Sequence, residues 1–255
     1  MNSWHWQTGS GLSYLTCSLL SPWSHGFFTR QFFPRPPVEL VEVLQPTAAV
    51  YQAKLVHGNV VVTPAEFTNQ SLPEADGVMT ATHNQSVWVC SADCVPVLIA
   101  DAHTGQVAAV HAGWRGTAAE IISRAIARML ARGSQLSDLY FAIGPAISGP
   151  VYQVSVEVAA QVGATIAPNG DDNAILEYLF ALPDSPLFPD PEPGRVRLDV
   201  PRVNAIQLQQ LGVQGTQVAI APHCTYQEPE HFFSYRRKDI KKVQWSGIVS
   251  SSRGR

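Results

Sequence analysis

Short apolar runs alternate with amphipathic segments along the middle of this chain. Five runs of β-branched and aliphatic residues are bounded by polar residues or glycine, the pattern of strands; they are 60–63, 87–90, 95–100, 107–110 and 139–143. Residues 101–106 predict a hairpin loop between two of these runs, with Gly105 at a positive φ. Segments 217–222 and 243–250 predict two later strands.

Two other segments have helical signals. In 117–131 an apolar stripe lies opposite Arg124, Arg128 and the adjacent Arg132, and Thr117 with Glu120 matches a capping box, which predicts one continuous helix. A second helix is predicted after Asp199, which can cap it. The proline-rich segment 181–194 predicts an exposed loop. Hairpins mixed with helices predict α+β layers rather than a doubly wound parallel sheet.

Composition restricts the class of protein. The chain has 255 residues, of which 45% are hydrophobic and 15% charged, as in a globular protein. The net charge of −3, without a basic aromatic stripe, predicts no nucleic-acid binding. No segment is long and apolar enough to predict a membrane span, and residues 1–23 lack the basic start of a signal peptide. Four cysteines without a C-x-x-C pair favour a reducing cytoplasm.

Two residues with metal-binding side chains stand at the edges of apolar runs. Cys94 precedes one run and His111 ends the next, so both could donate to zinc, for which His57 could supply a third ligand. Three other histidines compete for that third position: His83, His103 and His223. A nucleophilic Cys–His pair and an ordinary buried cysteine fit the same pattern.

Arg115 stands just before the predicted helix start at Thr117. Free N–H groups at such a terminus, together with a guanidinium, favour a phosphate or carboxylate. An arginine paired with a nearby carboxylate explains the same residue equally well. The spacing alone therefore leaves its role open.

Several motifs together resemble one known family. In order, "SHGFFTR", "ADCVPVLIAD", "AAVHAGWRGT", "AIGPAISGPVYQV", "LDVPRVNAIQLQQLGV" and "CTYQEPEHFFSYRRKD" resemble the YfiH-like laccase-domain family. Its members were long called multicopper polyphenol oxidases and are now regarded as purine nucleoside phosphorylases. The resemblance covers residues 24–250, and the A-D-C-x-P and H-A-G-W-R-G motifs are its most specific parts.

The resemblance implies a fold and a metal site. The expected fold is a single layered α/β sandwich domain over 24–250, of the type seen in the catalytic domain of cytotoxic necrotizing factor toxins. Residues 1–23 are then a poorly defined N-terminal extension and 251–255 a polar tail. The implied metal ligands are His57, Cys94 and His111, with zinc as the metal and copper as the alternative.

The resemblance also implies an activity. It predicts phosphorolysis of adenosine and inosine, with methylthioadenosine as a further candidate substrate, to free base and ribose 1-phosphate, with accompanying adenosine deamination. The expected catalytic residues are Asp93, Cys94 and His111. The expected substrate-binding residues are the following arginines: Arg30, Arg115, Arg236 and Arg237.

Two alternatives and three departures accompany this prediction. Cys94 could be the nucleophile of a Cys–His hydrolase or amidase, and a copper polyphenol oxidase would need an axial donor, for which Met79 is the sole plausible residue. The chain departs from the family's pattern at Leu55, in "QFFPRPPVELVEV" and in "GPVYQV". These departures affect the expected substrate-pocket rim and leave the metal ligands in place.

Overall fold

The computed structural model describes residues 3–68 and 71–252. Its strands are β1 (Trp4–Gly9), β2 (Leu12–Cys17), β3 (His25–Phe28), β4 (Ala49–Gln52), β5 (Val61–Val62), β6 (Gly77–Met79), β7 (Gln85–Ser91), β8 (Val95–Asp101), β9 (Val107–Ala112), β10 (Leu139–Ile143), β11 (Gln153–Ser155), β12 (Leu187–Pro189), β13 (Arg195–Leu198), β14 (Val218–Ile220) and β15 (Gln244–Val249). Its α-helices are α1 (Pro37–Leu44), α2 (Trp114–Ala118), α3 (Ile121–Leu130), α4 (Val156–Gly163), α5 (Asp172–Ala181) and α6 (Val200–Gln210).

The described strands form two six-stranded sheets and a small three-stranded one. The first sheet has the order β1-β2-β3-β15-β7-β4, and the second has the order β14-β10-β8-β9-β6-β5. The small sheet has the order β11-β13-β12. Antiparallel hairpins and crossover connections occur together in these sheets, which is typical of an α+β fold. The predicted fold class is confirmed.

The two large sheets pack face to face, and helices cover the second one. The position of strand β8 explains why its sequence is apolar throughout. Successive side chains of a strand point to opposite faces, and both faces of β8 are covered. Val97 and Ile99 join the core shared with the helices, whereas Leu98 and Ala100 join the core between the sheets. Helix α1 covers the outer face of the first sheet. The central strands therefore have no solvent-facing side.

The predicted β8–β9 hairpin is confirmed. The two strands pair antiparallel, and Gly105 in the connecting loop has φ +73. The helix after Asp199 is confirmed as α6, and the Asp199 carboxylate accepts a hydrogen bond from the backbone N–H of Arg202. The predicted strands at 139–143, 217–222 and 243–250 correspond to β10, β14 and β15.

The single helix predicted over 117–131 is wrong. The chain forms α2 and α3 instead, separated by Glu120 in the left-handed region at φ 55. Thr117 lies inside α2, where its buried hydroxyl donates to the carbonyl of Ala112, so it cannot cap a helix. The S/T-x-x-E pattern is therefore not a capping box here.

Two segments have more structure than their sequences indicate. Residues 4–17, part of the predicted extension, form the β1–β2 hairpin at the edge of the first sheet. The proline-rich segment 181–194 contains the edge strand β12, a position where a missing N–H is tolerated. Of the predicted tail, residues 253–255 lie outside the described residues. Among the described residues, no helix combines the length and hydropathy that crossing a membrane requires.

Candidate functional site

The β8–β9 hairpin brings Cys94 and His111 together. Cys94 directly precedes β8, and His111 is the next-to-last residue of β9, where it is paired with Pro96. The two side chains therefore lie at the same end of the hairpin although seventeen positions separate them in the sequence. Gly113 allows the close approach, because a Cβ at this position would lie 2.8 Å from the Cys94 sulfur.

A turn before β5 adds His57 to this pair. His57 has φ 60, and its ring lies 5.0 Å from the His111 ring, nearly perpendicular to it. The metal-binding atoms of His57, Cys94 and His111 all lie within 4.8 Å of one another. His57 is exposed, Cys94 half-buried and His111 buried, so the cluster opens to solvent on the His57 side.

Asp76 positions both histidines and was missed by the sequence analysis. This fully buried carboxylate accepts hydrogen bonds from His111 Nδ1 at 2.9 Å and from the backbone N–H groups of Val56, His57 and Gly58 at 3.2, 2.9 and 2.7 Å. Burial alone would raise the pKa of Asp76, but the hydrogen bonds from His111 and Gly58 lower it overall. A carboxylate behind a metal-binding histidine fixes the ring and raises its basicity. The only sequence signal was an aspartate at the start of an apolar strand.

The cluster favours a thiolate. Burial would raise the pKa of the Cys94 thiol, but hydrogen bonds from His111 and His57 lower it. Burial would lower the pKa of His111, yet hydrogen bonds to Asp76 and Cys94 raise it. Cys90 differs, because burial raises the pKa of its thiol to about 11. Cys94 is thus the more readily ionised of these two cysteines.

The donor set fits zinc. One thiolate and two imidazoles are ligands that zinc prefers, and three protein ligands leave a fourth position for substrate. Asp76 occupies His111 Nδ1, which leaves Nε2 as the ligand atom. Copper chemistry with an axial Met79 fits poorly. Met79 pairs with Ala108, three residues from His111 and hence about 10 Å along the strand.

The carboxylate of Asp93 is extensively hydrogen-bonded. It accepts hydrogen bonds from the hydroxyls of Thr225 and Ser234 at 2.7 and 3.0 Å, and from the backbone N–H of Arg236 at 2.8 Å. Asp93 itself is 8% exposed and has φ 93. One lone pair of Oδ1 stays available and Asp93 lines a small cavity with Cys94, so its catalytic role stays a prediction.

The four arginines expected to bind substrate lie in two different settings. Arg30 and Arg237 are half-buried and donate to backbone carbonyls. Arg115 and Arg236 are exposed and lie over aromatic rings. Arg115 is the second residue of the five-residue helix α2, so the predicted helix start at Thr117 is wrong, while the anion-binding role of Arg115 stays a prediction.

The rival histidines lie elsewhere. His223 Nδ1 is hydrogen-bonded to Glu228 at 2.8 Å, and neither His83 nor His103 belongs to a group of converging ligands in the described part of the chain. Glu228, Glu230 and His231 form a second such group. Both carboxylate oxygens of Glu228 already accept hydrogen bonds, from His223 and from the backbone N–H of Cys224.

Comparison with known proteins places these residues in a family context. The model of the family described as multi-copper polyphenol oxidoreductase laccase matches residues 39–249. The chain belongs to this family. A protein of Synechocystis sp. named purine nucleoside phosphorylase is 48% identical over 256 residues, covering 97% of this chain and 97% of its own length. A Mycobacterium bovis protein of the same name is 37% identical over 194 residues, 76% of this chain and 69% of its own.

Solved structures show the same fold. The crystal structure of hypothetical protein YfiH from Bacillus licheniformis has a TM-score of 0.79 at 23% identity and covers 96% of this chain and 99% of its own. The structure of YlmD from Geobacillus stearothermophilus has a TM-score of 0.78 at 24% identity, with 97% and 99% coverage. The YfiH-type α+β fold expected from the motifs is confirmed.

Proposed function

We propose that this protein is a zinc-dependent purine nucleoside phosphorylase. The observation that carries the proposal is the convergence of His57, Cys94 and His111 on one point, behind which Asp76 orients the ligands. The relatives named purine nucleoside phosphorylase, one of them 48% identical over nearly the full length, support the choice of substrate class. A bound zinc ion would act as a Lewis acid at the reacting group.

In this reaction the glycosidic C1′–N9 bond of the nucleoside breaks and a bond forms between C1′ and a phosphate oxygen. The proton of hydrogen phosphate balances the one that the departing purine gains. The chain must therefore hold an anion next to the sugar, a task suited to guanidinium groups. Arg115 and Arg236 present exposed guanidiniums over the rings of Trp114 and Tyr152, which line a cavity together with Cys94.

The decisive experiment is incubation of the purified protein with inosine, with and without phosphate. We expect hypoxanthine and ribose 1-phosphate to appear together, and only when phosphate is present. Release of hypoxanthine at the same rate without phosphate would show hydrolysis instead and would refute the phosphorylase mechanism.

We extend the proposal to deamination of adenosine in the same site. Solvent access at the His57 side allows water to reach the cluster, which deamination at purine C6 requires. With adenosine and no phosphate, inosine should accumulate while hypoxanthine stays absent. Adenosine that stays unconverted, without any inosine, would remove the deaminase activity from the proposal.

The principal rival is a hydrolase with Cys94 as nucleophile. The hydrogen bonds from His111 and His57, which lower the Cys94 pKa, favour this alternative as well as metal binding. The two schemes differ over zinc and over the second histidine, since a Cys–His nucleophile needs one imidazole base and no metal. That difference allows an experiment to separate them.

A further inference from the structure

Two of the four candidate arginines have structural tasks. Arg237 donates to the carbonyls of Thr225, Tyr226 and Phe232 and forms an ion pair with Asp239 at 2.9 Å. These bonds tie one loop to itself and leave the guanidinium little capacity for a ligand.

Arg30 is similarly engaged. Its guanidinium donates to the carbonyl of Pro229 and lies 4.5 Å from the centre of the Phe233 ring. Its backbone N–H also donates to the carbonyl of His231. Arg30 therefore holds β3 to the loop that contains Pro229, and substrate binding falls to the other two arginines.

Arg115 and Arg236 converge on one small cavity beside Cys94. Arg115 lies 4.3 Å from the Trp114 ring centre and Arg236 5.0 Å from the Tyr152 ring centre. Trp114 and Tyr152 both line a cavity of about 30 Å³ that Cys94 also lines. Both exposed guanidiniums thus lie over rings that line a cavity whose wall includes a proposed metal ligand, and both are near enough to Tyr152 to act electrostatically on its hydroxyl.

Both guanidiniums have free donors. Within residues 3–68 and 71–252, the Arg115 side chain has no hydrogen-bond or ion-pair partner and the Arg236 side chain has one, the carbonyl of Gln153 at 3.0 Å. An anion held by these donors would lie at the open side of the cavity. Tyr152 adds a neutral hydroxyl there, because burial raises its pKa to about 12.

Asp93 holds the backbone of Arg236 in place. Its carboxylate binds the Arg236 N–H and the Ser234 hydroxyl, and Ser234 and Thr225 are fully buried. Asp93 directly precedes Cys94 in the chain. It therefore links the proposed metal ligand to the loop that carries Arg236. Asp93 also lines the cavity, and its hydrogen bond from the N–H of Arg236 allows it to position this residue.

We propose that Arg115 and Arg236 form a subsite for inorganic phosphate at the mouth of this cavity, with Asp93 as the positioning residue of Arg236. The proposal rests on the proposed phosphorylase function for its choice of anion. The geometry alone identifies a site for a small tetrahedral oxyanion.

The first test measures binding of inorganic phosphate to the zinc-loaded protein by calorimetry, without nucleoside. Arg115→Met and Arg236→Met should each weaken binding about tenfold to a hundredfold, the usual cost of losing a hydrogen bond to a charged group. Arg124→Met, which removes an exposed arginine from α3, is the matched control and should bind phosphate as the wild type does. Wild-type affinity in both test variants, or no phosphate binding by the wild type, would overturn the subsite.

The second test concerns Asp93. If Asp93 acts through Arg236, the double variant Asp93→Asn/Arg236→Met should bind phosphate no more weakly than Arg236→Met alone, with zinc content unchanged. Additive losses would overturn the positioning role. A lower kcat with unchanged phosphate affinity in Asp93→Asn would indicate a general base instead.

The two proposals can fail separately. In one outcome, the wild type binds phosphate and both arginine variants lose this binding, while the wild type does not phosphorolyse inosine. That result would support the subsite and refute the phosphorylase. Phosphate-dependent hypoxanthine release with an unchanged phosphate KM in both variants would retain the phosphorylase and reject the subsite.

Discussion

Replacing Asp76 by asparagine tests whether the metal centre depends on this carboxylate. One oxygen of Asp76 accepts the N–H of His57 and Nδ1 of His111, and the other accepts the N–H groups of Val56 and Gly58. An asparagine side chain offers one oxygen and one NH₂ group. In either orientation, two N–H donors would therefore face another donor.

The expected magnitude follows from that count. Losing two hydrogen bonds to a buried charged acceptor should cost about 3 kcal/mol of unfolding free energy, at roughly 1.5 kcal/mol each. Loss of the partner that orients a metal-binding histidine typically lowers metal affinity about tenfold to a hundredfold. The affinity loss should exceed what a general decrease in stability produces.

The assay is competition for zinc with a chromophoric chelator, combined with urea unfolding of the metal-free protein. Asp101→Asn is the matched control. Asp101 is also fully buried, but its Oδ1 accepts both N–H bonds, from His103 and Thr104, while Oδ2 has no partner among the described residues. The amide nitrogen can take the Oδ2 position, so zinc affinity should be unchanged. Equal zinc affinity in Asp76→Asn and wild type would refute the reasoning.

Two further predictions concern other parts of the fold. His25 is buried, Nε2 accepts the N–H of Cys17 and Nδ1 donates to the carbonyl of Trp23, so only the neutral ring fits and burial lowers its pKa. The unfolded chain therefore binds the proton more tightly, and the free energy of unfolding should fall as the pH drops below about 6.5, by at most about 1.4 kcal/mol per pH unit. His25→Gln should lack this pH dependence when urea unfolding is measured from pH 5 to 8. An unchanged slope of unfolding free energy against pH in the variant would contradict the assignment. Glu120→Gly should raise the melting temperature, since relieving a left-handed non-glycine residue gains about 1 kcal/mol; a lower melting temperature would show that the Glu120 side chain outweighs the strain.

The sequence predicted those features that depend on local pattern. The apolar runs indicated β8, β9 and β10, and the Asp199 cap indicated α6, because burial on both faces and helix capping act over a few residues. The break at Glu120 was not predictable, since tertiary contacts of α2 override a valid capping pattern. The β1–β2 hairpin has few apolar positions facing a core, so its pattern was weak.

The site was predicted in part for the same reason. Motif resemblance indicated His57, Cys94 and His111, and the structure brings their ligand atoms together. Asp76 forms no short-range motif with these residues, and Thr225 is 132 positions from Asp93, so no spacing could indicate them. Which arginines are free to bind a ligand likewise depends on the carbonyl groups that the fold places next to each guanidinium.

The most direct test of the central claim is zinc content and inosine phosphorolysis measured on the same preparations of wild type, His57→Ala and Cys94→Ser. If His57, Cys94 and His111 hold one catalytic zinc, both variants should lose most of the metal and most of the activity, because serine is a poor zinc ligand and alanine is none. A Cys94 nucleophile would instead leave His57→Ala nearly unaffected. A fully active His57→Ala protein without bound zinc would contradict the account.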